Sequence, residues 1–158
     1  MYTLRNLFFL LLFAGFSSTA AAQLSVGGGI AYGFEAEEIG INVRGVYAFN
    51  ETIAAQAGFI YYLVEDGLTL NEINLNGNYV FVDSGAGTKV YALAGLNFTT
   101  VGVDLGQFGS ASTTETGLNV GAGAKFGLGG SASLFGEVRY VISDFDGLVA
   151  GVGVLFDL

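Results

Sequence analysis

From Leu24 to the last residue, large apolar side chains recur at every second position, with small or polar residues between them. A two-residue period is the signature of a strand whose two faces meet different surroundings. The alternation is sustained in a chain of mean hydropathy +0.59 that has no proline. Past residue 22, no apolar run reaches the roughly 20 residues a helix needs to cross a bilayer. A strongly apolar chain with its hydrophobic residues dispersed in this way suits a closed sheet in lipid, where every backbone group must be paired internally.

The first 22 residues follow a different rule. A short start carrying Arg5 leads into the apolar run Leu7–Phe16, and small residues follow up to Ala20-Ala21-Ala22. This order predicts a secretory signal cleaved between Ala22 and Gln23. It leaves one mature domain over residues 23–158. With no cysteine, neither a disulfide nor a lipid-modified N-terminus is available.

Eight segments emerge. The first, Leu24–Phe34, sets Leu24, Val26, Ile30, Tyr32 and Phe34 against Ser25, Gly27, Gly29, Ala31 and Gly33. The second runs over Glu38–Phe49 and the third over Ile53–Val64, where Ile60 and Tyr62 blur the contrast by falling on the polar side. The fourth is Leu68–Val82 and the fifth Lys89–Val103. Asp104–Thr113 reads as the longest loop, and a sixth segment covers Thr114–Phe126. The seventh carries Leu134, Val138, Tyr140 and Ile142 opposite Glu137 and Arg139, and the eighth runs from Leu148 to the C-terminus. The predicted fold is therefore all-β, an eight-stranded antiparallel up-and-down transmembrane β-barrel. Ten strands would leave only about three residues per connection.

Every second strand of such a barrel points the same way. Segments two, four, six and eight finish with Tyr47 and Phe49, Tyr79 and Phe81, Phe126, and Phe156. These six are the candidate aromatic girdle at one lipid–water interface. The opposite set of connections holds Glu35, Glu37, Glu38, Glu65, Asp66, Asp104, Asp144 and Asp146, which face outside if both termini are periplasmic.

The mature chain has four strong bases against 14 acids, a net charge of −10. Nucleic acid is a poor partner for it, because phosphate binding needs clustered Lys and Arg. Without histidine or cysteine, Ser-His-Asp and Cys-His centres and the usual zinc sites are excluded. Glu35, Glu37 and Glu38 read as a solvated loop tip, and Gly85–Lys89 lacks the spacing of a phosphate loop. No catalytic residue, cofactor or metal is expected. The candidate site lies inside the barrel: Arg44, Lys125, Glu137, Arg139 and Glu72 share the inward register. Buried bases demand partners, so an ion-pair network centred on Glu137 with Arg44 and Arg139 is expected to plug the lumen.

The stretch Gly117–Tyr140 (GLNVGAGAKFGLGGSASLFGEVRY), followed by a last alternating strand, resembles the closing strands of the small OmpA-like outer-membrane β-barrel family. The resemblance implies residence in the outer membrane of a Gram-negative bacterium as a monomer. Outer-membrane lipid would be its partner, with the barrel-assembly machinery acting during insertion. It implies a non-enzymatic structural or surface-contact role with no small-molecule substrate. The palmitate-transferring barrel uses a histidine that this chain lacks. A narrow cation-preferring pore, and a secreted soluble β-barrel or sandwich with an apolar ligand, are the alternatives. Short acidic loops offer little surface for adhesion.

Overall fold

The computed structural model describes residues 23–158; the leader expected over 1–22 lies outside them. Eight strands follow in chain order: β1 (Gln23–Gly33), β2 (Glu38–Ala48), β3 (Ile53–Tyr62), β4 (Leu68–Asp83), β5 (Thr88–Asp104), β6 (Ser110–Gly129), β7 (Ala132–Ile142) and β8 (Gly147–Asp157). Each pairs antiparallel with its sequence neighbour, and β8 closes on β1. Closure removes every free edge within the barrel wall.

The faces follow the sequence period. Ile30, Ile41, Val43, Ile73, Leu75, Val120, Val138 and Val152 point outward and are about half exposed. A soluble barrel would turn these side chains inward. The inward positions hold Asn42, Arg44, Gln56, Glu72, Asn74, Asn97, Asn119, Glu137 and Arg139, all buried.

One expectation needs correction. Asp104–Thr113 is not mainly a loop: β6 begins at Ser110, and a short 3-10 turn, Gly106–Phe108, caps a long β5–β6 hairpin. Ser110–Thr113 carries no hydrophobic alternation, and its register with β5 alone makes it a strand. The blurred third segment is also resolved. Ile60 and Tyr62 are almost wholly buried inside the barrel, where with Ala31, Val141 and Val149 they form an apolar cluster near the acidic end.

Glycines make room for the interior. A Cβ on Gly123 would lie 2.5 Å from the Tyr91 ring, and one on Gly40 would lie 2.6 Å from Ile60. We expect Gly123→Val to displace Tyr91 and lower barrel stability by about 1–3 kcal/mol, read from urea unfolding of the detergent-folded protein.

Candidate functional site

The inward residues of six strands converge at mid-lumen. Arg44 of β2 donates from Nη1 to Glu137 Oε2 of β7 at 2.8 Å, and its guanidinium stacks 3.9 Å over the Phe135 ring. Gln56 Nε2 (3.3 Å) and the Tyr91 hydroxyl (2.8 Å) donate to the same oxygen. One turn of the wall away, Arg139 Nη2 donates to Glu72 Oε2 at 2.6 Å, with Tyr62 Oη on the other oxygen at 2.9 Å. Arg139 Nη1 lies 3.7 Å from Glu137 Oε1 and joins the two pairs. The result is a continuous chain, Arg44–Glu137–Arg139–Glu72, with two charges of each sign.

Asparagines pack the space between the pairs. Asn97 Nδ2 donates to Glu72 Oε2 at 3.2 Å and to Asn74 Oδ1 at 2.9 Å. Asn119 Nδ2 bridges Asn74 Oδ1 and Asn76 Oδ1 at 2.9 and 2.8 Å. Asn78 Nδ2 reaches Gln56 Oε1 at 2.9 Å. Such side chains suit a narrow lumen, since each can donate and accept across it. Shared carboxylates with several donors also offset the cost of burying charge.

The sequence reading of this site is corrected in two places. Lys125 faces inward but lies outside the network: it pairs with Asp157 at 2.9 Å at the end holding the termini, and Ser25 donates to the same oxygen. Glu137 is one of two centres, because the shorter contact of Arg139 is with Glu72. Tyr62 and Tyr91 were not recognised as members. Their signal was present, since an aromatic hydroxyl on the Gly- and Asn-rich face needs an internal partner.

Cavities flank the network. One of about 260 Å³ opens toward the termini, between the Arg44 layer and the Lys125–Asp157 pair. The other, about 330 Å³, lies at the acidic end beneath Glu35, Asp144 and Asp146. Both ion pairs lie between them, and Tyr62, Val141 and Val149 of the apolar cluster line the second.

On the lipid side, the structure places Tyr47, Phe49, Tyr79, Phe81, Phe126 and Phe156 on the outward face at the end holding the termini, with Tyr47 and Phe49 edge to face at 5.0 Å. A second aromatic set, which the sequence reading did not single out, lies toward the acidic end. It includes Tyr32 and Phe34, edge to face at 5.0 Å, with Tyr61, Tyr140 and Phe145. Leu24 on β1 and Phe34, the residue after its end, mark the two limits there. Ten residues at ~3.3 Å each, tilted ~40°, climb about 25 Å, the height of an outer-membrane apolar band.

No family model and no curated protein sequence matches this chain. Solved structures do. The N-terminal β-barrel domain of OprF from Pseudomonas aeruginosa superposes with a TM-score of 0.68 at 19% identity, covering 87% of this chain and 96% of that one. Ail, the attachment invasion locus protein of Yersinia pestis, solved with the heparin analogue sucrose octasulfate, gives 0.64 at 18% identity, covering 87% and 97%. Neisserial surface protein A gives 0.64 at 19% identity, covering 87% and 96%. At these identities the likeness establishes the fold, that of the small outer-membrane β-barrels.

Proposed function

We propose that this chain is an integral outer-membrane barrel without catalytic activity, closed through its centre, which contributes to envelope structure and presents its acidic end to the outside. One observation supports the reading: two joined ion pairs and an apolar cluster lie buried inside a wall whose outward face is an apolar belt between aromatic limits. Small barrels fill their interiors with side chains, and here the stretch between the two cavities is occupied by the buried Arg44–Glu137–Arg139–Glu72 chain.

A second reading, a narrow cation-preferring channel, draws on the eight carboxylates at the outer end. Planar-bilayer recording separates the two. The closed barrel gives no regular conductance steps; steps with cation preference that weaken when Asp144 and Asp146 become Asn support the channel.

Ail was captured with a polyanion, but the four turns at the acidic end here carry no Lys or Arg. We expect the folded barrel to show no retention on immobilised heparin at about 0.15 M salt, where residual attraction would act only over a Debye length of ~8 Å.

A further inference from the structure

The β5–β6 hairpin leaves one sheet edge open. Strand β6 begins at Ser110, but its first partner on β7 is Leu118, opposite Ile142. On its other side β5 is covered as far as Val103 by Leu68 of β4. Seven residues, Ser110–Thr116, thus extend past the wall with β5 on one side and, among the described residues, no strand on the other, a length of about 23 Å at ~3.3 Å per residue.

Which backbone groups face the open side follows from the hydrogen bonds. Gly127 N donates to Gly87 O, and Asp104 N donates to Gly67 O of the β4 side. The β5–β6 register is unbroken between these points. Odd-numbered residues of β6 therefore turn their N–H and C=O toward β5, and even-numbered ones turn them away. Ser110, Ser112, Thr114 and Thr116 present unpaired donors and acceptors to the open edge.

Natural edges of this kind are shielded by proline, lysine or a bulge. This one has none of them. Its side chains are five small hydroxyls and Ala111, with Glu115 the lone charge and the one longer side chain. Thr100 and Thr114 join across the hairpin at 2.8 Å and hold it extended. The flanking charge is one-sided: Asp104 and Glu115 on the hairpin, Asp144 and Asp146 on the turn where β7 leaves off.

We propose that the Ser110–Thr116 edge is a docking site for an extended, basic segment of a partner protein, which adds as a strand antiparallel to β6 above the end of β7. The backbone ladder supplies affinity, as in other strand-addition complexes. The carboxylates select basic residues toward the amino end of the incoming strand, the end that lies over Asp144 and Asp146. A second copy is a poor occupant. Two barrels in one membrane share an orientation, so a twofold along the membrane normal would set like backbone groups against each other at equal height. The proposal rests on the barrel reading above for placing this hairpin outside the cell.

The test uses the mature barrel folded in nanodiscs and a fluorescein-labelled peptide, Lys-Lys-Thr-Val-Thr-Tyr-Thr-Val, read by fluorescence polarisation. We expect saturable binding tighter than about 1 mM, weakened at least tenfold by moving the lysines to the carboxyl end and abolished by N-methylating the peptide backbone on its pairing side. The Ser112→Pro, Thr116→Pro double variant removes two open-edge donors while leaving the β5 ladder intact, and should also lose at least tenfold. No binding, equal binding to the double variant, or indifference to N-methylation would overturn the proposal. So would concentration-dependent dimerisation of the wild-type barrel that the prolines abolish, since the occupant would then be a second copy. Boiling-dependent gel mobility of the same samples reports separately on the barrel, so failure of the edge and failure of the barrel are distinguishable.

Discussion

Glu137→Gln should lower barrel stability by about 3 kcal/mol or more, and Glu137→Leu should fall in the range of about 3–5 kcal/mol. The carboxylate accepts from Arg44, Gln56 and Tyr91 and lies near Arg139, at a side chain with 1% exposure. Removing its charge leaves the Arg44 guanidinium buried without a counter-charge. Most of the loss is this stranded cation, because the net worth of an intact buried pair is small. Arg44→Met should therefore restore much of what Glu137→Leu removes. A double-mutant cycle in urea, followed by tyrosine fluorescence or by gel mobility, measures the coupling; additive losses would mean the two side chains do not interact.

Val138→Arg should cost ~2–4 kcal/mol in a bilayer. Val138 lies between Glu137 and Arg139 in sequence yet points the other way, about half exposed on the lipid face near the middle of β7. Three consecutive positions thus answer to opposite surroundings: charge is required at 137 and 139 and excluded at 138. In a soluble barrel an arginine on this outer face would be harmless. Unfolding in phospholipid vesicles measures the difference, and an unchanged stability would place the outer face in water.

The sequence carried most of the wall. Lipid and lumen make opposite demands on alternate residues, so the parity of Leu24, Val26 and Ile30, or of Leu118, Val120 and Ala122, identified both strand and face. Parity does not give depth. Lys125 and Arg139 share the inward register, yet Lys125 lies near the end with the termini beside Asp157, while Arg139 reaches Glu72 at mid-lumen. Depth depends on how each strand is staggered against the next, and that is fixed by long-range pairing such as Lys125↔Phe135 and Ser133↔Leu155. The start of β6 was illegible for a different reason. Ser110–Thr114 has no apolar face, and its strand character comes from pairing with β5 alone. Tyr62 and Tyr91 were missed because they read as ordinary aromatics. Their role appears once their hydroxyls are seen on the Glu72 and Glu137 carboxylates.

Everything above turns on the apolar face of a closed barrel looking outward into lipid. Electrophoretic mobility of the detergent-extracted membrane fraction, with and without boiling, tests it most directly. A membrane barrel gives a faster-running unboiled form that shifts on heating, with no protein in the soluble periplasm. A soluble protein with a single mobility would mean that the apolar residues point inward in solution, and the membrane reading would fall.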